Sequence, residues 1–257
     1  DLYGQLNGAP LYKVLGGGIP RLTTDITISV DTPDKMVADA LSAIERGFDC
    51  LKVKVGKDMD VDVDRVRAIH AAVAGRAGLR LDANQGWTPG DAVRALHALE
   101  AAGIELDLVE QPVKAADIDG LKYVTDHVAT PVLADESAFG LDDVVEVIRR
   151  RAADIVNIKL MKTGGISTAL RIADVCAEHD MECMIGCMLE TSISVAAAAH
   201  VAVARSNVIR RVDLDGPQLG AFNPVAGGAI FEGPTIELTD APGLGILSVR
   251  GLDWLDG

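Results

Sequence analysis

Short apolar runs rich in β-branched residues alternate along the chain with longer amphipathic stretches. Runs that are fully apolar or alternate with period two predict strands at about residues 25–30, 50–55, 79–83, 106–110, 132–135, 155–160, 182–187 and 208–213. Helical spacing of apolar residues predicts helices over 35–46, 62–74, 89–102, 117–126, 141–151, 166–180 and 192–205. Thr32-Pro33 and Thr88-Pro89 each place a capping hydroxyl before a proline suited to the first helical turn, and Gly164-Gly165 marks a third start. Gly47, Gly103 and Asp180 suit the turns back into strands. Strict alternation means parallel strands joined by right-handed crossovers, and eight of them favour a closed barrel over an open sheet. No Gly-x-Gly-x-x-Gly follows the first strand; Gly16-Gly17-Gly18 precedes it and reads as a loop.

A charged residue closes, or follows closely, seven of these runs: Lys54, Asp82, Glu110, Asp135, Lys159, Glu190 and Asp213, separated by 28, 28, 25, 24, 31 and 23 residues. Burying a charge is costly unless it is paired or binds a metal. In a parallel barrel the strand tips converge on one face, where active sites lie. The pattern therefore predicts an active site.

Composition narrows the class. A length of 257 residues suits one barrel, and 49% apolar residues can fill its core. The net charge of −14 argues against a nucleic-acid partner, which calls for basic patches. The apolar stretch 194–204 contains His200 and is too short to span a membrane. Cys50, Cys176, Cys183 and Cys187 show no zinc spacing, so reduced thiols of a cytoplasmic protein are expected. No secretory signal opens the chain. It opens without Met, with Leu2, Tyr3 and Leu6 at helical spacing, so residues 1–22 are expected to be the remnant of a helix and linker. Residues 23–257 are expected to form the barrel, with a Gly- and Pro-rich closing segment over its rim or base.

Asp82, Glu110 and Asp135 end three successive strands, and neighbouring strands lie about 5 Å apart. Three carboxylates that close call for a hard divalent cation, Mg²⁺ first and Mn²⁺ second. The alternative is a separate salt bridge for each. Lys52 and Lys54 share one strand face, where mutual repulsion would lower a lysine pKa toward that of a base. Lys159 lies four strands on, across the mouth, placed to serve the opposite face of a carbon, or else to pair with Asp135. Lys162 reads as a loop or turn-capping residue. Asp213 and Asp215 form a second same-face pair that needs a cation, either a substrate ammonium or Arg210 and Arg211. Glu190 is expected to hydrogen-bond a lysine or orient substrate. The histidines fall within or at the ends of predicted helices, Ser137 and Ser192 lack a His–Asp relay, and Trp87 packs the rim.

KVKVG at Lys52 and Lys54, DANQGW at Asp82, VEQP at Glu110, ADES at Asp135 and NIKLMKTGG at Lys159 resemble the enolase superfamily, muconate-lactonizing subgroup. CMLETSIS followed by DLDGP, with Asp213 and Asp215, is most similar to its dipeptide epimerases of the L-Ala-D/L-Glu type. The resemblance implies a modified (β/α)7β barrel of the TIM type, preceded in the family by an α+β capping domain that is expected to be missing ahead of residue 1 here. It implies a Mg²⁺-bound substrate carboxylate, Lys52 holding enolate charge, and Lys54 and Lys159 exchanging the α-proton. The Asp-x-Asp pair would bind the free amino group of a dipeptide. An N-acylamino-acid racemase, a muconate cycloisomerase or dehydratase, an o-succinylbenzoate synthase, and a silent barrel stand as alternatives. Self-association into a homo-oligomer is left open.

Overall fold

The computed structural model describes residues 1–251; residues 252–257, the end of the expected barrel domain, lie outside the described residues. After helices Leu2–Leu6 and Leu11–Val14 and a short strand β1 (Arg21–Thr23) come eight strands. They are β2 (Ile26–Ile28), β3 (Cys50–Lys54), β4 (Gly78–Asp82), β5 (Leu106–Glu110), β6 (Val132–Ala134), β7 (Ile155–Lys159), β8 (Glu182–Gly186) and β9 (Ile209–Asp213). They pair in sequence order and in parallel. The ends of this sheet meet through Asp25 N–H to the Val212 carbonyl (3.3 Å), Thr27 N–H to Asp215 Oδ2 (2.7 Å) and Leu214 N–H to Thr24 Oγ1 (2.8 Å). The result is the TIM-type barrel expected, its last seam stitched largely by side chains.

Seven helices fill the connections: Pro33–Glu45, Met59–Val73, Pro89–Glu100, Ile118–His127, Leu141–Arg150, Ile166–Glu178 and Ser192–Ala204. Thr32 and Thr88 cap two of them, accepting from the N–H groups of Lys35 and Asp91. The second helix starts three residues before its predicted start because Asp58 accepts from Val61 N–H and fixes an earlier cap. A short helix, Leu160–Thr163, follows β7 directly and ends on Gly164, in the left-handed region at φ 77°. The strand predicted there stops one residue earlier.

Period two decides the layers. Leu51, Val53, Leu79, Leu81, Val156, Ile158 and Ile185 point outward and join one core with helix residues such as Met36, Ile69, Leu96, Val124 and Ile172. Inside the barrel, Leu108, Leu133, Ile155 and Met184 form a separate apolar cluster on β5–β8. The opposite inner wall, from β9 to β4, carries Asp25, Lys52, Arg80, Arg211 and Asp213, of which all but Arg211 are buried.

Helix Ser192–Ala204 is apolar on all sides, so it must be covered on all sides. The C-terminal segment does this. From the rim, where Asn223 Oδ1 accepts from Ser192 Oγ (2.6 Å), it runs to the base, where the Pro234 carbonyl accepts from Thr24 N–H (2.8 Å). On the way β11 (Ala229–Glu232) and β12 (Thr235–Leu238), a hairpin that also pairs with β1, pack on this helix, and β10 (Val225–Gly227) pairs with β13 (Ile246–Val249). Residues 1–22 pack there too: Tyr12 is buried and its N–H donates to His200 Nδ1 (2.9 Å).

Candidate active site

Strand register brings the sequence-predicted residues together. Lys54 lies beside Asp82, and Asp82 beside Glu110, on neighbouring strands; Asp135 follows β6 directly. Lys159 sits on β7, four strands from Lys54 in the ring of eight. Asp82, Glu110, Asp135, Lys159, Lys52 and Asp213 are all at most 5% exposed, whereas the Lys54 side chain is 27% exposed.

Two lysines close onto the carboxylates from opposite sides. Lys54 Nζ lies 2.5 Å from Asp82 Oδ2 and 2.8 Å from Asn84 Oδ1. Lys159 Nζ lies 2.7 Å from Asp135 Oδ2 and 3.6 Å from Glu110 Oε1. Lys162 is a buried tether for the segment after β6. Its ammonium donates to the carbonyls of Asp135 (2.6 Å), Asn157 (3.0 Å) and Ala138 (3.2 Å). It also stands 2.6 Å from Asp135 Oδ1, an ion pair without hydrogen-bond geometry.

In this side-chain arrangement no three His, Cys, Asp or Glu side chains among the described residues converge to hold a metal. The donor set nevertheless fits a hard divalent cation. All donors are acidic oxygens, and Glu110 Oε2 and Asp135 Oδ1 are buried without a hydrogen bond. Burial, then Asp82, pushes the Glu110 carboxyl up to about 8, the strain that a cation relieves. Lys54 and Lys159 offset part of the negative charge through their ion pairs with Asp82 and Asp135.

Lys52 is not depressed as repulsion from a neighbouring ammonium predicts. Burial pulls Lys52 down, but Asp213, then Glu110 and Asp25, outweigh it and hold the ammonium well above its ordinary value. For Lys159, burial is likewise outweighed by Glu110 and Asp135, and the group is raised. Carboxylates outnumber lysines in this pocket, so repulsion between the ammonium groups loses.

Asp213 pairs with Lys52, a buried contact of side chains from β9 and β3. Asp215 Oδ2 accepts from Thr27 N–H. Arg210 and Arg211 take neither; both reach Glu182, and Arg211 also Asp107, at the other end of the barrel. Among the described residues Glu190 makes no ion pair or hydrogen bond with a lysine. It accepts from Met188 N–H (2.8 Å) and Ser194 Oγ, shaping the turn into helix Ser192–Ala204. That turn lines a cleft of about 270 Å³ with Leu189, Pro217, Phe222 and Asn223.

Three residues escaped the sequence reading. Asn157, two before Lys159 on the same face, donates to Glu110 Oε1 (2.8 Å). Gly186 leaves room for both: a Cβ there would stand 2.8 Å from Asn157 Oδ1 and 2.9 Å from Lys159 Cε. Gln111 Oε1 accepts from the N–H groups of Asp135 (2.9 Å) and Ser137 (3.0 Å), fixing the turn that presents Asp135. Ser137 is a partner in that network: its Oγ accepts from Gln111 Nε2 and donates to the Ala115 carbonyl. Trp87 is buried as expected, its Nε1 3.3 Å from Asp62 Oδ2; Asp62 also accepts from Gly56 N–H and Lys57 N–H and so joins the loops after β3 and β4.

The family model for the enolase C-terminal domain-like fold matches residues 35–248. An L-Ala-D/L-Glu epimerase of Clostridium acetobutylicum is 52% identical over 250 residues, 97% of this chain and 70% of that protein. The substrate-liganded L-Ala-D/L-Glu epimerase of Bacillus subtilis superposes with a TM-score of 0.95 at 45% identity, covering 96% of this chain and 69% of that one. A dipeptide epimerase of Enterococcus faecalis, complexed with Mg and the dipeptide L-Leu-L-Tyr, gives a TM-score of 0.92 at 48% identity, covering 95% and 69%. With its barrel, its strand-tip carboxylates and its facing lysines, the chain belongs to the enolase C-terminal domain-like family, in the dipeptide-epimerase group of the enolase superfamily.

Proposed function

We propose that this chain, an isomerase of the epimerase and racemase kind acting on amino-acid derivatives, inverts the α-carbon of the C-terminal residue of a dipeptide by a Mg²⁺-dependent 1,1-proton transfer. One observation carries the reading: two lysines, Lys54 on β3 and Lys159 on β7, face each other across a set of buried carboxylates. One lysine removes the α-proton from its side of the carbon, and the other returns a proton on the opposite side. Asp82, Glu110 and Asp135 would hold the cation. Bound there, a cation would supply positive charge against the substrate carboxylate and would offset the acidic field of these carboxylates. Lys52, held cationic by Asp213, faces the charge that builds on the substrate as the proton leaves. The B. subtilis and E. faecalis complexes support the assignment of substrate and metal.

Asp215 is the acidic group placed to receive the dipeptide ammonium. Its partner Asp213 is already engaged by Lys52, and this favours a second reading, an N-acylamino-acid racemase whose substrate brings no ammonium. The test is hydrogen exchange in D₂O with a dipeptide library and Mg²⁺, alongside N-acetylated amino acids, read by mass spectrometry. Deuterium at the C-terminal α-carbon of free dipeptides is expected. Exchange confined to N-acylated amino acids would select the second reading.

A further inference from the structure

One buried carboxyl of the inner barrel wall has no place in the reaction as described. Asp25, just before β2, is 1% exposed. Its Oδ2 accepts from Arg80 Nη1 at 2.7 Å, while Arg80 Nε goes to Asp107 Oδ2 at 2.7 Å. Its Oδ1 is buried and meets no donor. The same holds for Oδ1 of Asp213, whose Oδ2 is taken by Lys52. The two carboxyls stand close enough that each bears on the other's charge. If both were ionised, each would be an acceptor only, and both orphaned oxygens would stay unsatisfied. A single proton between them satisfies both. The local charges also balance that way, because Arg80 has Asp107 and Lys52 has Asp213.

We propose that Asp25 is a positioning residue that carries a proton and donates it to Asp213, fixing the Asp213–Lys52 pair under the reacting carbon. In this arrangement the carbonyl oxygen of Asp25 accepts from Arg80, and its O–H donates to Asp213. Asp213 is then clamped at both oxygens and stays ionised, so Lys52 keeps its charge and its direction. The groups that face Asp25 agree with this placement. Burial, then Asp213, raises its carboxyl well above the ordinary range, and Asp215 adds to the effect against Arg80 and Lys52. Burial would also raise Asp213, but Lys52 and the hydrogen bond from Asp25 keep it below its ordinary value. The Cys50 thiol, pushed up to about 12, first by burial, stays neutral beside them.

An asparagine is the uncharged mimic of such a carboxyl, since its oxygen can accept from Arg80 and its amide can donate to Asp213. The test compares wild type, Asp25→Asn and Asp25→Val in the full chain with Mg²⁺. Infrared difference spectra at neutral pH should show a protonated-carboxyl carbonyl band in wild type that is missing from Asp25→Asn. Thermal unfolding adds a sign. A raised carboxyl gives stability that is complete below its unfolded pKa and is lost as pH rises through the folded value. Asp25→Asn should therefore gain stability relative to wild type as pH rises from acid toward neutral and beyond. In turnover, Asp25→Asn should stay close to wild type. Asp25→Val should lose about ten- to a hundredfold, the size of one hydrogen bond to a charged group, in kcat and not in KM.

Absence of the band, or an Asp25→Asn protein that is crippled in both stability and turnover at neutral pH, would show an ionised Asp25 paired with Arg80 and overturn the proposal. Wild-type turnover in Asp25→Val would overturn the positioning role even with the proton in place. Only the kinetic arm rests on the epimerase reading. The infrared and unfolding arms need no substrate, so a failure of that reading leaves them able to decide where the proton sits.

Discussion

Replacing Lys159 with methionine separates the chemical role of this residue from its structural one. The ammonium makes one close hydrogen bond, to Asp135 Oδ2 at 2.7 Å, and a longer contact to Glu110 at 3.6 Å. Asp135 is not left bare by the substitution, because Lys162 remains 2.6 Å from its other oxygen. Methionine can also follow the lysine stem past Gly186. The structural cost is therefore that of one charged hydrogen bond, about 1.5–3 kcal/mol. For a chain of this size that corresponds to a Tm lower by roughly 3–12 °C. The chemical cost is larger: loss of a positioned proton-transfer group takes about 10²–10⁴-fold from the rate. Inversion needs both lysines, whereas exchange of the α-proton needs only one. Lys159→Met should lose epimerisation by at least that factor, yet still exchange the α-proton of the stereoisomer that faces Lys54. Each stereoisomer would be incubated separately in D₂O with Mg²⁺, with deuterium read by mass spectrometry and the epimer ratio by NMR. Lys54→Met should show the mirror-image preference. Equal loss of exchange from both stereoisomers, or epimerisation retained in either variant, would refute the two-base arrangement.

The metal can be followed by stability. In the metal-free protein the raised Glu110 carboxyl gives stability that is full below its unfolded pKa of about 4.3. That stability is lost as pH rises through about 8. The metal-free Tm should therefore fall across this window. Mg²⁺ at a hundredfold its Kd should restore about 2.7 kcal/mol, and Glu110→Gln should abolish the response. Asp215→Asn should cost free dipeptides about ten- to a hundredfold in kcat/KM and spare N-acetylated substrates; equal losses would show that the residue serves the Thr27 seam alone. Lys162→Ala removes a buried cation from three carbonyls and a carboxylate, and should destabilise the chain by about 3–5 kcal/mol, measured by urea unfolding with unchanged slope.

Much of this protein is local and therefore legible in its sequence. Strand and helix positions follow from apolar periodicity, because burial of one face is a property of the segment itself. Thr32 and Thr88 cap the helices they precede, since a cap needs only the next turn. Lys54, Asp82, Glu110, Asp135 and Lys159 reach one mouth because each ends a strand of a parallel ring, and that geometry follows from alternation alone. The fold decided which charges meet. Lys52 pairs with Asp213 across 161 residues, Arg80 with Asp25 across 55, and no spacing rule reaches so far. The sequence placed Asp213 near Arg210 and Arg211, but period two and the barrel's depth send those side chains toward Glu182 and Asp107 instead. Lysine protonation was decided the same way, because it depends on the sum of all charges in the closed pocket. Asn157, Gly186 and Asp25 carry no sequence signal of their own, and their roles exist only where three or four strands bring their inner faces together.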